Sequence, residues 1–188
     1  PDGKYIASGA QDKTVQVWDA VTGENIFTYR GHFSQINAVA WSPDSKRIVS
    51  GGGNGMDQDY TIQVWDATTG TNALTYRGSA TDILAIAWSP DGKRIASTSD
   101  RDVQVWNPIT GDILFTYTGH LRDLDATASV WSLAWSFDGK RIASGSYDHT
   151  VRIWDAFTGN TIYTYRGYTG GIRTVSWAPD GTRIVCGG

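Results

Sequence analysis

Residues 38–51 read AVAWSPDSKRIVSG and residues 62–66 read IQVWD, and both phrases recur in step along the chain. The Pro-Asp phrase that starts at Pro43 returns at Pro1, Pro90, Phe137 and Pro179, at spacings of 42, 47, 47 and 42 residues. The Trp-Asp phrase returns at 15–19, 103–107 and 151–155. TYRG stands at 28–31, 75–78 and 164–167, with TYTG at 116–119, and the AVAWS run echoes at 85–89, 132–136 and 174–178. Four phrases locked in phase mean one structural unit repeated, and the period sets the fold before any local propensity does.

The unit reads as four short strands. In the second copy they fall at 36–41, 47–51, 61–65 and 72–76, with turn chemistry at Pro43-Asp44 and at Thr69-Gly70. An all-strand period of this length fits a four-stranded antiparallel propeller blade. Ala38 and Ala40 share one face of the first strand, and Val39 and Trp41 share the other. Small residues on one side leave room for the bulky face of the next unit, so a lone blade cannot bury both faces and neighbours must stack. Nine Trp, nine Tyr and 22 Gly suit short strands joined by tight turns. The fold expected is all-β, a partial propeller with blade pieces at 1–30, 31–77, 78–118, 119–166 and 167–188.

Gly31-His32 near the start of the unit, Ser50 in its second strand, Asp59 in the following turn and the Trp65-Asp66 pair closing its third strand resemble the WD40 repeat. The resemblance covers the whole chain. It implies a buried network of His, Ser, Asp and Trp in each blade, in which the Asp accepts from imidazole and the Ser bridges to the indole N–H. The matching residues are His32, Ser50, Asp59 and Trp65 in one unit and His120, Ser144, Asp148 and Trp154 in another. The opening unit offers Ser8, Asp12 and Trp18, and the third offers Ser97, Asp100 and Trp106 with Ser79 in place of His. Tyr168 stands where the last unit would have its His. The units without His are expected to lack the complete network.

A trio of His, Ser and Asp also invites a catalytic reading, but a nucleophilic triad occurs once, at an exposed site with an oxyanion hole. Here the trio comes back blade by blade, as a structural part would. The three His lie too far apart for local metal-ligand spacing, and no cofactor motif stands out.

Two insertions mark where binding is expected. Nine positions separate Ser50 from Asp59 where four separate Ser144 from Asp148, which places extra residues at 52–56. A second insertion follows His120, within 121–130. In a four-stranded meander both fall on one rim, and repeat proteins gather insertions on their binding face. The family resemblance points to the same rim. Candidate contacts there are Gln11, Gln58 and Tyr147 beside the network Asp, Phe33, Gln35, Leu121, Arg122 and Tyr168 after the Gly-His step, and Met56 in the first insertion. Asp57, Asp82, Asp102, Asp123 and Asp125 lean this rim acidic, which favours a basic partner segment. The Lys-Arg pairs at 46–47, 93–94 and 140–141 are expected to form a solvated basic ring at the opposite turns.

A net charge of −3 with no basic run argues against nucleic acid or an anionic membrane as partner. No apolar stretch nears the roughly 20 residues of a membrane span. The single Cys186 leans toward a reducing, cytoplasmic setting. The pattern opens without a first strand and closes without a third and fourth, so further repeats are expected on both sides. Two other routes would close the ring: residues 172–177 pairing with the opening sheet, or further copies joining the array. The function expected is a non-catalytic protein-interaction scaffold or sensor module. Its repeats resemble the WD40 arrays of large bacterial signalling proteins. The alternatives are an enzyme with a site in the central channel and a purely structural array.

Overall fold

The short Ser-x-Asp phrases build their own turns. Ser42 Oγ donates to Asp44 Oδ1 at 2.5 Å and accepts from Arg47 N at 2.9 Å, and Ser136 does the same with Asp138 and Arg141. The residue that follows is left-handed: Gly92 and Gly139 at φ +69° and +67°, and Ser45 at +59°. Each such turn delivers the chain from one strand into its antiparallel neighbour.

The computed structural model describes residues 1–56, 59–99, 101–120 and 129–188. The first sheet holds β1 (Tyr5–Gly9), β2 (Val15–Asp19) and β3 (Asn25–Tyr29). The second holds β4 (Ile36–Trp41), β5 (Arg47–Gly52), β6 (Ile62–Asp66) and β7 (Asn72–Tyr76). The third holds β8 (Ile86–Trp88), β9 (Ile95–Ser99), β10 (Asp102–Trp106) and β11 (Ile113–Tyr117). The fourth holds β12 (Val130–Trp135), β13 (Arg141–Ser146), β14 (Val151–Asp155) and β15 (Thr161–Tyr165), and β16 (Thr174–Trp177) pairs with β17 (Ile184–Gly187). Every sheet runs antiparallel in chain order, and the described residues contain no helix. The chain is therefore all-β, an array of partial-propeller blades. The third strand of the second unit runs one residue later than the sequence pattern placed it.

The register slips at one repeated place. Pairing of the third and fourth strands shifts between Val17 and Trp18, Val64 and Trp65, Val105 and Trp106, and Ile153 and Trp154. A bulge at this point re-aims a side chain without ending the sheet. Trp65, Trp106 and Trp154 are fully buried.

The core lies between sheets, not within them. Val15, Val17 and Tyr29 of the first sheet cluster with Ile36, Ile48 and Trp65 of the second. Val49, Val64 and Tyr76 cluster with Ile86, Trp88 and Trp106, and Val103, Val105 and Tyr117 with Leu133, Trp135 and Trp154. Ala38 and Ala40 pack into the second of these clusters, so the small face of β4 admits the third sheet. A sheet taken alone would leave such a face in water, which is the stability logic of a repeat array.

The basic pairs need correction. Lys46, Lys93 and Lys140 are exposed, but their Arg neighbours do not form a solvated ring. Arg47, Arg94 and Arg141 lie over Trp88, Trp135 and Trp177 of the following sheet, 5.1, 4.7 and 4.8 Å from the ring centroids. The cation is drawn inward by the indole face and becomes a tie between blades.

Candidate functional site

The His, Ser and Trp residues meet at the head of the blade. In the fourth sheet Trp154 Nε1 donates to Ser144 Oγ at 3.2 Å, and His120 Nε2 lies 2.7 Å from the same oxygen. His120 Nδ1 lies 2.9 Å from Asp148 Oδ2, and Asp148 Oδ1 accepts from Thr150 Oγ1 at 2.6 Å and Thr150 N at 3.0 Å. With the indole donating to Ser144, the serine proton is free for Nε2 and the Nδ1 proton goes to Asp148. This chain of donors assigns a neutral imidazole. Burial depresses the His120 pKa, and the Asp148 carboxylate opposes this in part. Burial also pushes the Asp148 carboxyl up, but the bonds from His120 and Thr150 outweigh it and leave it well below the usual range.

The second sheet repeats the inner half and changes the outer. His32 Nε2 sits 2.7 Å from Ser50 Oγ, which accepts from Trp65 Nε1 at 3.0 Å. Asp59 Oδ2 accepts from Phe33 N at 2.9 Å, and Asp59 Oδ1 from Thr61 N at 3.3 Å, in place of a bond from the imidazole. Lacking that bond, His32 is driven by burial down to about 4, with only the charge of Asp59 pulling the other way.

Among the described residues, the first and third units keep the serine–indole contact. Trp106 Nε1 donates to Ser97 Oγ at 3.0 Å, and Trp18 Nε1 to Ser8 Oγ at 2.8 Å. Ser79 Oγ turns instead to Thr81 O at 2.9 Å and Ser99 Oγ at 3.3 Å. Asp12 accepts from Thr14 Oγ1 and N, at 2.7 and 3.1 Å. Asp100 lies outside the described residues.

The remaining described candidates are Gln11, Phe33, Gln35, Met56, Tyr147 and Tyr168. Phe33 and Met56 are 75% and 83% exposed, and Gln11 and Tyr147 are exposed as well. The first insertion is tied across to the third unit by Gly55 N donating to Asp82 Oδ1 at 3.1 Å, and back to its own unit by Gly53 N donating to Gln35 O at 3.1 Å. Gln35 Nε2 donates to Asn37 Oδ1 at 3.1 Å. Tyr168 is drawn inward: its hydroxyl donates to Cys186 O at 2.9 Å. Gln58, Leu121 and Arg122, with Asp57, Asp123 and Asp125 and most of the second insertion, lie outside the described residues.

Sequence reasoning missed three rim groups. Trp131 packs at 5.1 Å from Tyr147, and the Arg173 guanidinium lies 5.0 Å from the Trp131 ring centroid. Gly171 lets them close up, since a Cβ there would stand 3.0 Å from Tyr147 Cδ2 and 3.1 Å from Trp131 Cζ3. Gly55, Tyr60, Asp82, Leu84 and Ser129 line a shallow cleft of about 310 Å³ beside them. The one available signal was Trp131 itself, a Trp at the start of a first strand where the other units carry Asn37, Leu84 or Arg173. Among the described residues no cluster of three or more His, Cys, Asp or Glu could hold a metal, and no helix is long and apolar enough to cross a membrane.

Repeated four-stranded sheets, interlocked through their faces and carrying Ser–Trp or His–Ser–Trp networks, define a β-propeller repeat array. The chain belongs to the WD domain, G-beta repeat family, which matches residues 1–19, 23–66, 70–107, 111–155 and 159–188. It is 40% identical over 57 residues to WD repeat-containing protein slp1 of Schizosaccharomyces pombe, covering 30% of this chain and 12% of that protein. It is 43% identical over 60 residues to Protein HIRA of Dictyostelium discoideum, covering 26% and 5%, respectively. It is 37% identical over 57 residues to APC/C activator protein CDC20 of Saccharomyces cerevisiae, covering 30% and 9%. The matched stretch is thus a small part of each relative's length.

Proposed function

We propose that the chain is a non-catalytic module that binds other proteins or peptides on the rim carrying Phe33, Met56 and Tyr147. The observation that carries this reading is the placement of these large side chains. They come from three separated segments, point to water, and rise from a scaffold whose blades are stapled to one another. Aromatic side chains on a rigid base lose little entropy when they dock, which makes them effective anchors. The Trp131–Arg173 stack extends the same surface, and Asp82 gives it a carboxylate suited to a basic partner segment.

The buried networks argue against catalysis. Ser144 is fully buried and His120 is 1% exposed, and the serine oxygen already has two partners. A nucleophile so enclosed cannot meet a substrate. The relatives reported above are eukaryotic and lend no weight to a bacterial signalling host. Cytoplasmic placement rests on the single cysteine alone and belongs to this proposal.

Affinity capture with identification of the bound protein tests the reading. Phe33→Ala, Met56→Glu and Tyr147→Ala are each expected to lose a partner that the intact chain retains. Val21→Ser and Phe137→Ser, exposed at the opposite turns, are expected to keep it. Equal retention by all five variants would move the binding surface elsewhere.

A further inference from the structure

The chain has one Asn-Gly step, at 54–55, and four Asp-Gly steps, at 2–3, 91–92, 138–139 and 180–181. Such a step can close on itself: the glycine nitrogen attacks the side-chain carbonyl carbon of the residue before it, and no Cβ blocks the approach. The reaction needs a leaving group on that carbon, a donor for the oxygen as it gains charge, and an acceptor for the proton on nitrogen. Asn54-Gly55 has all three. The Asn54 side chain is an amide, which can release ammonia. Met56 N donates to Asn54 Oδ1 at 2.9 Å, so a donor already sits on the oxygen where charge would develop, and the turn folds the amide back over its own backbone. Gly55 N donates to Asp82 Oδ1 at 3.1 Å, so the proton to be lost already points at a carboxylate. Asp82 comes from the next unit, and the loop is shaped to receive it. A Cβ on Gly53, whose φ is +147°, would stand 3.1 Å from Asp82 Cγ and 3.0 Å from Tyr60 Cδ1. Gly55 is exposed, so water reaches the step.

Three Asp-Gly turns supply the contrast within the same molecule. Lys93 N, Lys140 N and Thr182 N donate to Oδ1 of Asp91, Asp138 and Asp180 at 3.0, 3.0 and 2.9 Å, which is the same side-chain turn. Their glycine nitrogens, however, donate to backbone carbonyls: Gly92 to Ser89, Gly139 to Ser136 and Gly181 to Ala178, each at 2.9 Å. A peptide carbonyl is too weak a base to take up that proton, and a carboxylate side chain has no ammonia to release. The turn geometry alone is therefore common in this chain. What sets Asn54-Gly55 apart is the amide and the carboxylate facing its nitrogen.

We propose that Asn54 is a self-modifying site, deamidated by its own loop with Asp82 as the base. Gly55 N bonds to Asn54 Cγ as its proton passes to Asp82, and Met56 N holds the oxygen that takes the electron pair. The intermediate collapses when the Cγ–Nδ2 bond breaks; Nδ2 recovers the proton from Asp82 and leaves as ammonia. Water then opens the five-membered imide at either carbonyl, giving aspartate or isoaspartate at 54 and leaving Asp82 unchanged. While the imide lasts, its nitrogen has no hydrogen for Asp82, so the tie from the first insertion to the third unit is broken. After hydrolysis a second carboxylate stands close to Asp82 and opposes the return of that tie. The insertion thus changes its charge and its attachment beside Met56 with the age of the chain.

The test incubates the folded chain at neutral pH and follows the tryptic peptide 48–77 by mass and by chromatographic separation of its aspartate and isoaspartate forms. Position 54 is expected to convert at least about 10-fold faster in the folded chain than in the same chain unfolded in guanidinium chloride, because only the fold holds the donor and the base in place. Asp82→Asn keeps an acceptor for Gly55 N but cannot take its proton. It is expected to slow conversion by about 10-fold or more, the low side of what a positioned base supplies. Conversion no faster in the folded chain overturns the proposal, and so does an unchanged rate in Asp82→Asn with its circular dichroism spectrum retained. Isoaspartate appearing at 91, 138 or 180 as fast as at 54 overturns it too. The comparison of folded with unfolded chain needs no variant, so it decides the matter whatever Asp82→Asn does to the loop. Each readout is of the covalent chain and is independent of what the rim binds.

Discussion

In the β12–β15 sheet an imidazole joins Ser144 at 2.7 Å to Asp148 at 2.9 Å, whereas in the β8–β11 sheet Ser79 stands in its place and reaches neither Ser97 nor Trp106. Trp106 is nonetheless as completely buried as Trp154. It keeps its serine at 3.0 Å and its stacked tyrosine from the preceding sheet at 4.9 Å. The indole is therefore held by the serine and the tyrosine, and the imidazole is an addition on the rim side. What differs between the two blades is the cost of disturbing the serine.

Ser144→Ala strips the shared partner from two buried donors or acceptors, Trp154 Nε1 and His120 Nε2, while Ser97→Ala strips it from Trp106 Nε1 alone. Leaving a buried polar group unpaired costs about 1–3 kcal/mol. The expected losses are about 3 kcal/mol for Ser144→Ala and about 1.5 kcal/mol for Ser97→Ala, read from urea midpoints at neutral pH. Equal losses would show that the imidazole gains nothing from Ser144.

This difference between blades was readable only in part before the structure. The period, the four strands and the Ser–Trp pairs were legible because each rests on local chemistry: alternating burial, turn residues, and a small hydroxyl on the strand next to an indole. The stacking of Tyr29 on Trp65 was not, because it joins residues from successive units, and no single-unit pattern says which face a tyrosine will find. The Arg of each Lys-Arg pair was misread for the same reason. Its sequence neighbours are polar turn residues, and the indole that captures it lies 41, 41 and 36 positions further on, at Trp88, Trp135 and Trp177. Asp59 also departed from the pattern, since the Phe33 amide competes with the imidazole for its oxygen.

Acid sharpens the contrast. Burial drives His32 to about 4, so between about 6.5, its ordinary value, and about 4 the unfolded chain binds a proton that the folded chain refuses. Stability is then present above the unfolded value and lost as pH falls through this window, by about 3 kcal/mol. His120 is shifted in the same direction and adds to the loss, whereas the β8–β11 sheet, with Ser79, adds none from this position. His32→Gln is expected to flatten the dependence measured by denaturant titration across that range. An unchanged slope would mean that the imidazole is hydrated in solution.

The blade without histidine is compensated at its other end. Arg94 is buried, donates from Nη1 to Ala156 O at 2.9 Å and from Nη2 to Gly139 O at 3.0 Å, and lies between the Trp135 and Phe157 rings, 4.7 and 4.2 Å from their centroids. Arg141, in the blade that has its histidine, makes one such carbonyl bond, to Gly181 at 3.1 Å, and one ring contact. Lysine keeps the charge but cannot fork to two carbonyls or lie flat on an indole. Arg94→Lys is expected to cost about 1.5 kcal/mol and Arg141→Lys about 0.5 kcal/mol, compared as shifts in urea midpoint. The smaller value reflects the greater exposure of Arg141, where water replaces much of what the guanidinium gives up. Should the two substitutions cost the same, the third and fourth sheets would be joined no more tightly than the fourth is to β16 and β17, and the missing histidine would have no counterpart elsewhere in its blade.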